Sequence, residues 1–278
     1  MLRAACLLSV LCLTTAAMAA DPAPRQDAAS EQLGLKLGLQ CWTYNRLTTF
    51  ETIERAQRLG IKYLEMYPGQ KLRPDSEAKN GPGLSAEDRA ALQKKLADCG
   101  VKAVSFGVDG LPGDEAGLRA RLGWAQVMGL ENLVTETKPT ELMGKLADEY
   151  GINICIHNHP KTWPADQVLA AVKELGPRVG ACGDSGHWLR AGKVPVENLQ
   201  LLAGRMREMH FKDLNEKNED VVYGTGRGDV AGQLAELKKQ GFKGYLIIEY
   251  ERGDLAHLDA TLPQCVAAFD KLCGALAK

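Results

Sequence analysis

Residues 152–160 have the sequence INICIHNHP, an apolar run that ends in two histidines. The same arrangement returns in ACGDSGHW (residues 181–188) and in REMHFKD (residues 207–213), so four of the five histidines lie at or just past the end of an apolar run. If these runs are neighbouring parallel strands, their carboxyl ends meet at one rim of the sheet. There the imidazoles can surround a metal ion together with Asp184 and Glu249.

Eight short apolar runs of this kind are distributed along the chain. They begin at Leu35, Ile61, Val101, Asn132, Ile152, Val179, Met206 and Tyr245. Between them lie stretches with helical spacing, six of which end in glycine, the residue that most easily takes the left-handed conformation that stops a helix. Alternating strands and helices predict an α/β fold with a parallel sheet. Eight units favour a closed (β/α)8 TIM barrel over an open doubly wound sheet, because the Gly-rich phosphate-binding fingerprint of the open fold is missing.

The N-terminal end has the composition of a secretory signal peptide. Arg3 precedes the apolar stretch AACLLSVLCLTTAA, and the following AMA offers a small-residue cleavage site. This apolar stretch is shorter than the roughly 20 residues needed to cross a membrane. We therefore expect a signal peptide at residues 1–20, a polar leader at 21–33 and one barrel domain at 34–278, in a periplasmic or secreted protein.

The charge balance of the chain does not favour a polyanionic partner. The 278 residues carry a formal net charge of −1. A protein that binds nucleic acid or an anionic membrane surface usually presents an excess of basic residues. We therefore expect neither a nucleic-acid nor a membrane partner, while a homo-oligomer stays possible because barrel surfaces often form dimers.

Side chains at the ends of the predicted strands alternate between the two faces of the barrel wall. His210 therefore shares a face with Lys212, and Glu249 shares a face with Glu251. A carboxylate or imidazole that faces the interior must be paired, shifted in pKa or metal-bound to offset its desolvation. Glu249, directly after YLII, is the clearest example.

A single histidine on an apolar strand is more often a hydrogen-bonded structural residue than a ligand. His187 suits either metal ligation or support of a ligand, because ligating side chains need partners that orient them. Asp184, His210 and Glu249 form the stronger set, since all three follow the rule that functional residues lie at the strand ends. The metal hypothesis depends on these three together.

Three motifs over the last three strands resemble a known family. The motif D-x-x-H from Asp184, the motif H-x-K-D from His210 and the later Glu249 are similar to the xylose-isomerase-like barrel superfamily of sugar isomerases, sugar-phosphate epimerases and endonuclease-IV-like enzymes. The resemblance extends over nearly all of the chain after the predicted signal peptide. It implies one divalent metal held by Glu, Asp, His and Glu from the ends of strands five to eight. Asp184, His210 and Glu249 match the last three positions.

The fifth strand departs from the family pattern. His157 stands where many relatives have glutamate, and the two-base epimerase mechanism uses carboxylates from strands five and eight on opposite faces of the sugar. Two residues are candidates to replace the missing carboxylate. They are Glu136, at the end of the preceding strand, and His159. The fourth metal ligand is accordingly His157 or Glu136.

The resemblance also implies the cofactor and the roles of individual residues. Two oxygen ligands with one or two imidazoles suit Mn²⁺, Zn²⁺, Co²⁺ or Fe²⁺ better than an all-oxygen calcium site. Such an ion polarises the carbonyl of a small-molecule sugar substrate, so that a neighbouring carbon-bound proton can be removed. The catalytic candidates are Glu249, His157, His159 and Lys212. The substrate-binding candidates are Glu65, His187, Gln40, Trp42 and Arg227. For a tryptophan a place in the core is the more common alternative, and Arg227 is equally consistent with an ordinary solvated loop charge.

The sequence is consistent with three functions. The first is an exported, metal-dependent sugar isomerase or epimerase. The second is a metal-dependent lyase or hydrolase that acts on keto-sugar glycosides, which needs the same stabilised enolate but no second base. The third is a non-catalytic sugar-binding barrel, because a fold alone does not establish an activity.

Overall fold

The computed structural model describes residues 25–278. Within this part of the chain, eight parallel strands close into a barrel in chain order, and the eighth strand pairs with the first. The predicted (β/α)8 barrel is therefore confirmed. The predicted signal peptide and the start of the predicted leader lie outside the described residues. No helix among the described residues combines the length and the apolar character that crossing a membrane requires.

All eight apolar runs form strands, with boundaries that differ from the predicted ones by at most three residues. The strands are β1 (Leu35–Gln40), β2 (Tyr63–Met66), β3 (Lys102–Phe106), β4 (Asn132–Thr135), β5 (Asn153–His157), β6 (Val179–Asp184), β7 (Met206–Phe211) and β8 (Gly244–Ile248). The histidine-bearing runs are thus the consecutive strands β5, β6 and β7, which brings their carboxyl ends to one rim.

Helices connect the strands around the outside of the barrel. They are α1 (Ala28–Leu33), α2 (Thr49–Arg58), α3 (Ala86–Asp98), α4 (Glu115–Met128), α5 (Glu141–Tyr150), α6 (Ala165–Val172), α7 (Ser185–Arg190), α8 (Pro195–Leu201), α9 (Val230–Lys239) and α10 (Leu255–Leu276). A short 3-10 helix, Cys41–Tyr44, follows β1 directly. Both α7 and α8 lie between β6 and β7, and α1 precedes β1.

Capping residues set the helix boundaries locally. The hydroxyls of Ser85 and Thr140 each accept the backbone N–H three residues later, which satisfies a donor that the first turn leaves unpaired. Gly129 and Gly151 end α4 and α5 with φ angles of 73° and 70°, a conformation that costs other residues more. These signals hold each helix to a length that returns the chain to the next strand.

The alternation of side chains divides the apolar residues of the barrel into two regions. On β8, Leu246 and Ile248 belong to the main core between strands and helices, whereas Tyr245 and Ile247 pack in the barrel interior. The next inward position after Ile247 is Glu249. The strand period therefore carries this carboxylate to the rim, one inward position beyond the apolar Ile247.

One carboxylate makes three hydrogen bonds to the long connection after β7, residues 214–229. Asp213 accepts the backbone N–H groups of Gly224, Gly226 and Gly228 at 2.8–2.9 Å. A Cβ atom at Gly226 or Gly228 would lie within 2.9 Å of Asp213 Oδ1, so this close approach requires glycine. Asp213 thereby fixes the loop over the rim beside the histidine cluster.

Candidate metal centre

Four side chains from four neighbouring strands meet at the carboxyl end of the barrel. They are His157, Asp184, His210 and Glu249, and each offers a ligand atom that lies within 4.8 Å of the other three. All four are buried, with 0–8% of each residue exposed. The structure thus brings together the predicted set, with His157 in the fifth-strand position.

The distances between these atoms suit a shared cation. His210 Nδ1 lies 3.1 Å from both His157 Nε2 and Glu249 Oε2. Asp184 Oδ2 lies 3.6 Å from His157 Nε2 and 3.8 Å from His210 Nδ1. Ligands about 2.1 Å from one ion lie roughly 3.0–3.4 Å apart. Small side-chain shifts would therefore complete the coordination.

The outer oxygen of Asp184 is left without a hydrogen bond. Asp184 Oδ1 accepts the backbone N–H of His187 at 2.8 Å, which fixes the carboxylate. Asp184 Oδ2 is buried without a hydrogen-bond partner, although Lys212 Nζ lies 3.1 Å away outside hydrogen-bond geometry. A buried, unpartnered carboxylate oxygen is costly. The ion pair with Lys212 offsets part of this cost, and a divalent metal would add a direct bond to this oxygen, so the residues present fit such an ion.

Glu65 lies behind His210 and determines which imidazole nitrogen faces the cluster. Glu65 Oε2 is 2.7 Å from His210 Nε2, and both side chains are fully buried. Because a carboxylate only accepts, Nε2 carries a proton, and Nδ1 is the nitrogen that faces the cluster. Burial opposes the charged ring, but Cys182, Glu65 and Glu249 raise the pKa of His210, so a metal at Nδ1 would replace a proton there. Glu65 was predicted to bind substrate; the structure places it in contact with a candidate ligand instead of in the wall of the cleft.

Lys212 lies among three carboxylates. Its ammonium is 2.7 Å from Glu249, 2.9 Å from Glu251 and 3.1 Å from Asp184. Burial favours the neutral amine, but the three carboxylates hold the pKa of Lys212 well above its usual value. Burial also opposes ionisation of Asp184 and Glu249, yet Lys212 holds the pKa of both carboxyls below their usual range. The site is therefore charged at neutral pH.

His187 is oriented by an arginine of its own helix. Arg190 Nη1 lies 3.2 Å from His187 Nδ1, and a guanidinium can only donate. Burial, with the nearby charge of Lys212, lowers the pKa of His187 to about 3 although Asp184 opposes this. The neutral ring consequently carries its proton on Nε2, which lies 3.5 Å from Asp184 Oδ2. Sequence reasoning did not identify Arg190, because nothing in the local pattern distinguishes it from a solvated helix residue.

Glu136 is paired with His159 at the mouth of the site. Glu136 Oε1 contacts His159 Nδ1 and accepts the Thr162 hydroxyl at 3.0 Å. The Trp163 indole N–H donates to the Glu136 carbonyl at 2.8 Å. Glu136, His157 and His159 form a second group of potential ligand atoms, but Glu136 and His159 are only partly buried. The structure thus places Glu136 outside the four-residue cluster, beside His159.

A cleft of about 360 Å³ opens over the cluster. Of the predicted site residues, it is lined by Gln40, Trp42, His157, His159, His187 and Glu249. The lining residues to which the sequence assigned no role are Tyr67, Pro68, Gly107, Val108 and Glu251. All five follow the end of a strand closely, so strand-end position was the available signal. A cleft of this size is within the usual range for small-molecule sites.

Arg227 lies apart from the lining of this cleft. Its guanidinium donates to the backbone carbonyls of Leu189 at 3.2 Å and Asn215 at 3.3 Å, and to the side chain of Asn218. These contacts support the loop after β7. A substrate-binding role for Arg227 stays a prediction.

Known proteins share both the fold and part of the sequence. A solved structure of an uncharacterised protein from Parabacteroides distasonis ATCC 8503 is 33% identical, with a TM-score of 0.70 over 86% of this chain and 99% of that chain. The structure of D-psicose 3-epimerase in the presence of D-fructose has a TM-score of 0.67 over 86% of this chain and all of its own, at 16% identity. At that identity, the likeness shows a common fold.

Curated relatives match a shorter part of the chain. Inosose dehydratase from Bacillus thuringiensis (strain Al Hakam) is 31% identical over 85 residues, which cover 29% of this chain and 28% of that enzyme. The chain spans less than half of the length of the curated relatives it matches. The sequence profile described as xylose isomerase-like TIM barrel matches residues 135–269, which include all four residues of the cluster. The chain belongs to the xylose isomerase-like TIM barrel family.

Proposed function

We propose that the protein is a metal-dependent sugar isomerase or epimerase that removes a proton from the carbon next to a sugar carbonyl. The observation that carries this proposal is the buried cluster of His157, Asp184, His210 and Glu249 beneath an open cleft. These residues would hold Mn²⁺, Zn²⁺, Co²⁺ or Fe²⁺, an ion that polarises the substrate carbonyl and its neighbouring hydroxyl when bound. The signal-like N-terminal sequence supports export of this enzyme.

Glu249 is the base in this scheme. Its side chain lines the cleft, while Oε2 contacts His210 and Lys212 at 3.1 and 2.7 Å. Lys212 keeps the carboxylate ionised at neutral pH, so it is ready to accept a proton. A low pKa makes a carboxylate a weak base, so the transfer depends on the raised acidity of a carbon next to a polarised carbonyl.

His187 stabilises the negative charge that develops on the substrate oxygen. The ring lines the cleft, and its contact with Arg190 leaves the proton on Nε2. A buried donor that is held in place before the reaction stabilises an oxyanion. Lys212 is buried below the cleft and acts through the carboxylates whose charge it maintains.

Epimerisation needs a second group that returns the proton to the opposite face of the carbon. His159 lines the same cleft, and Glu136 contacts its Nδ1. A carboxylate that orients an imidazole in this way is a common arrangement for proton transfer. His159 with Glu136 therefore takes the place of the fifth-strand carboxylate that the family pattern implies.

Elimination is the second candidate, and the fifth strand favours it. His157 is a histidine where the two-base scheme has a carboxylate. An elimination needs one base for the carbon-bound proton and one acid for the departing oxygen, roles that Glu249 and His159 can fill. The partial similarity to inosose dehydratase supports the same possibility.

Solvent exchange separates these functions. The metal-loaded protein is incubated with a panel of keto sugars in D2O, and deuterium next to the carbonyl is followed by NMR. We expect incorporation that stops after chelation and returns with metal. Isomeric products support the first candidate, and an unsaturated product supports elimination.

Two variants make the test specific to the site. Glu249→Gln is expected to abolish exchange with an unchanged circular dichroism spectrum. Val127→Ala, on the exposed side of α4, serves as the control with full exchange. Bound metal without exchange on any sugar of the panel rejects both catalytic functions and leaves a sugar-binding barrel.

A further inference from the structure

Two depressions on the carboxyl rim meet at one tryptophan. The first is the cleft of about 360 Å³ over the metal cluster. The second is a groove of about 170 Å³ between the segment that follows β1, residues 42–46, and the loop that follows β8, residues 250–253. Trp42 and Glu251 line both of them. The space available to a ligand therefore continues past Trp42, away from the metal cluster.

Trp42 is unusually exposed for a residue of its kind. In the described part of the chain, four large apolar residues are more than two fifths exposed. They are Trp42, Val127, Val194 and Leu201. The other three lie on or beside the outer helices, whereas Trp42, 44% exposed, lies on the rim above the cluster. An exposed indole next to a catalytic cleft offers a flat apolar face and a polar N–H, a combination suited to the C–H face and the hydroxyls of a sugar ring.

The position of this indole is fixed before any ligand binds. Gln40 Oε1 accepts the backbone N–H of Trp42 at 3.2 Å, and Gln40 Nε2 donates to the Gly107 carbonyl at 3.1 Å. The Trp42 and Tyr67 rings form a T-shaped pair with a centroid distance of 5.2 Å and an interplanar angle of 81°. Such preorganisation reduces the entropic cost of binding.

The groove beyond Trp42 is polar, and two of its three charged side chains, Glu251 and Arg252, are ion-paired. Arg46 donates to the Gly253 carbonyl at 3.1 Å, which ties the two walls together. Arg252 pairs with Glu219 at 3.3 Å, and Glu251 pairs with Lys212 at 2.9 Å. Arg46 is thus the one groove cation without a carboxylate partner among the described contacts, and the remaining lining offers hydroxyl, backbone and ion-paired groups that suit a hydroxylated ligand such as a neutral sugar.

We infer that the substrate is a glycoside of at least two units, with the reacting sugar in the cleft over Glu249 and a second, neutral sugar unit in the groove on the far side of Trp42. The placement of the reacting unit rests on the proposed function. The placement of the second unit rests on the groove and on Trp42, so the two parts can fail separately.

Calorimetric titration of the metal-loaded full-length protein tests this inference. The probes are glucose as a one-unit sugar and cellobiose, maltose and trehalose as two-unit sugars with different linkages. We expect at least one two-unit sugar to bind about tenfold more tightly than glucose. This advantage should disappear in Trp42→Ala and in Asn45→Trp, which fills the groove, and should persist in Val127→Ala.

Equal affinity for one-unit and two-unit sugars overturns the inference, and so does the absence of measurable binding by all of them. An advantage that survives in both Trp42→Ala and Asn45→Trp also overturns it, because the second unit would then lie elsewhere. Metal content and deuterium exchange on one-unit keto sugars are measured with the same preparation. Exchange without a two-unit advantage rejects only the second subsite, whereas missing metal and exchange reject the proposed function.

Discussion

Two carboxyl groups on neighbouring strands point into the same barrel at different depths. Glu208 on β7 lies one layer below the rim, where Ser105 Oγ and Asn132 Nδ2 donate to its Oε2 at 2.8 and 2.7 Å. Burial, together with the carboxylate of Glu65, holds the pKa of Glu208 well above its usual value. Both effects favour the neutral acid form of this group.

Glu249, after β8, is nearly as buried but remains charged. Lys212 Nζ lies 2.7 Å from its carboxylate and outweighs the burial that favours the neutral acid. Glu249 also lines the open cleft, whereas Glu208 is fully buried. Burial alone therefore does not distinguish a functional carboxylate from a structural one. What distinguishes them is a buried cation that keeps the group charged and a path to the substrate.

The same substitution at both positions gives the largest expected difference. Glu249→Gln removes the base and a candidate ligand, so we expect the exchange rate to fall by about 10³-fold or more. Glu208→Gln replaces a neutral acid by a neutral amide of the same shape, whose oxygen can still accept from Ser105 and Asn132. We expect its exchange rate to stay within about threefold of the parent protein. Steady-state NMR exchange on equal amounts of folded protein measures both.

Comparable losses in the two variants would contradict this contrast. They would mean that the deeper carboxyl is charged in the folded protein or takes part in the reaction. Melting curves of both variants are the control, since a rate lost through unfolding would lower the melting temperature as well.

Removal of the metal gives the next largest effect. A ligand at 100 times its dissociation constant stabilises a protein by about 2.7 kcal/mol. For a chain of this size, that raises the melting temperature by roughly 5–10 °C. We expect this shift in both the parent protein and Glu208→Gln when metal is added after its removal with a chelator. We expect no shift in Asp184→Asn, because Asp184 Oδ2, which is buried without a hydrogen bond, is a candidate ligand atom. A full shift in Asp184→Asn would place the ion elsewhere.

The sequence predicted the strand order and the inward-facing residues because both follow from simple periods. Eight apolar runs define the strands, and the period of two assigns His210 and Glu249 to the interior. The depth of each residue in the barrel could not be predicted in this way, because it depends on the stagger between strands in the closed barrel. Glu65 illustrates this point: its inward direction was predictable, but its contact with His210 across the barrel was not.

Contacts that depend on how helices and loops pack could not be predicted from the sequence either. The Arg190 contact with His187 joins two residues of one short helix, but its significance depends on Asp184 and the cleft. The groove beyond Trp42 requires the loops after β1 and β8 to meet at Arg46 and Gly253. Residue spacing along the chain does not contain this information.

Glu65 contacts His210 at the rim and Glu208 one layer below it. Its substitution should affect metal binding less than the loss of the ligand candidate Asp184. Glu65 holds His210 Nε2 at 2.7 Å and also interacts with Glu208. Glu65→Gln preserves the shape but removes the charge that orients the imidazole and strengthens it as a ligand. Loss of such a partner typically weakens metal binding by about 10- to 100-fold, and we expect the lower end because the amide oxygen can still accept. Competition with a fluorescent chelator measures this, with Glu77→Gln on an exposed loop as the control. An unchanged affinity would show that His210 keeps its orientation without Glu65, or that it is not a ligand.

Ser105→Ala gives the smallest expected effect. It tests only the layer below the rim, which contains Glu208 with Ser105 and Asn132. The substitution removes one of the two donors to Glu208 Oε2, while Asn132 continues to donate at 2.7 Å. A buried hydrogen bond contributes about 1 kcal/mol, so chemical denaturation should show a loss of roughly that size. The exchange rate and the metal affinity should both stay within about twofold, since the change is smaller than any that acts on the ligands directly. If the stability is unchanged but the metal affinity falls by about tenfold or more, the lower layer is part of the metal site and the separation by depth is wrong.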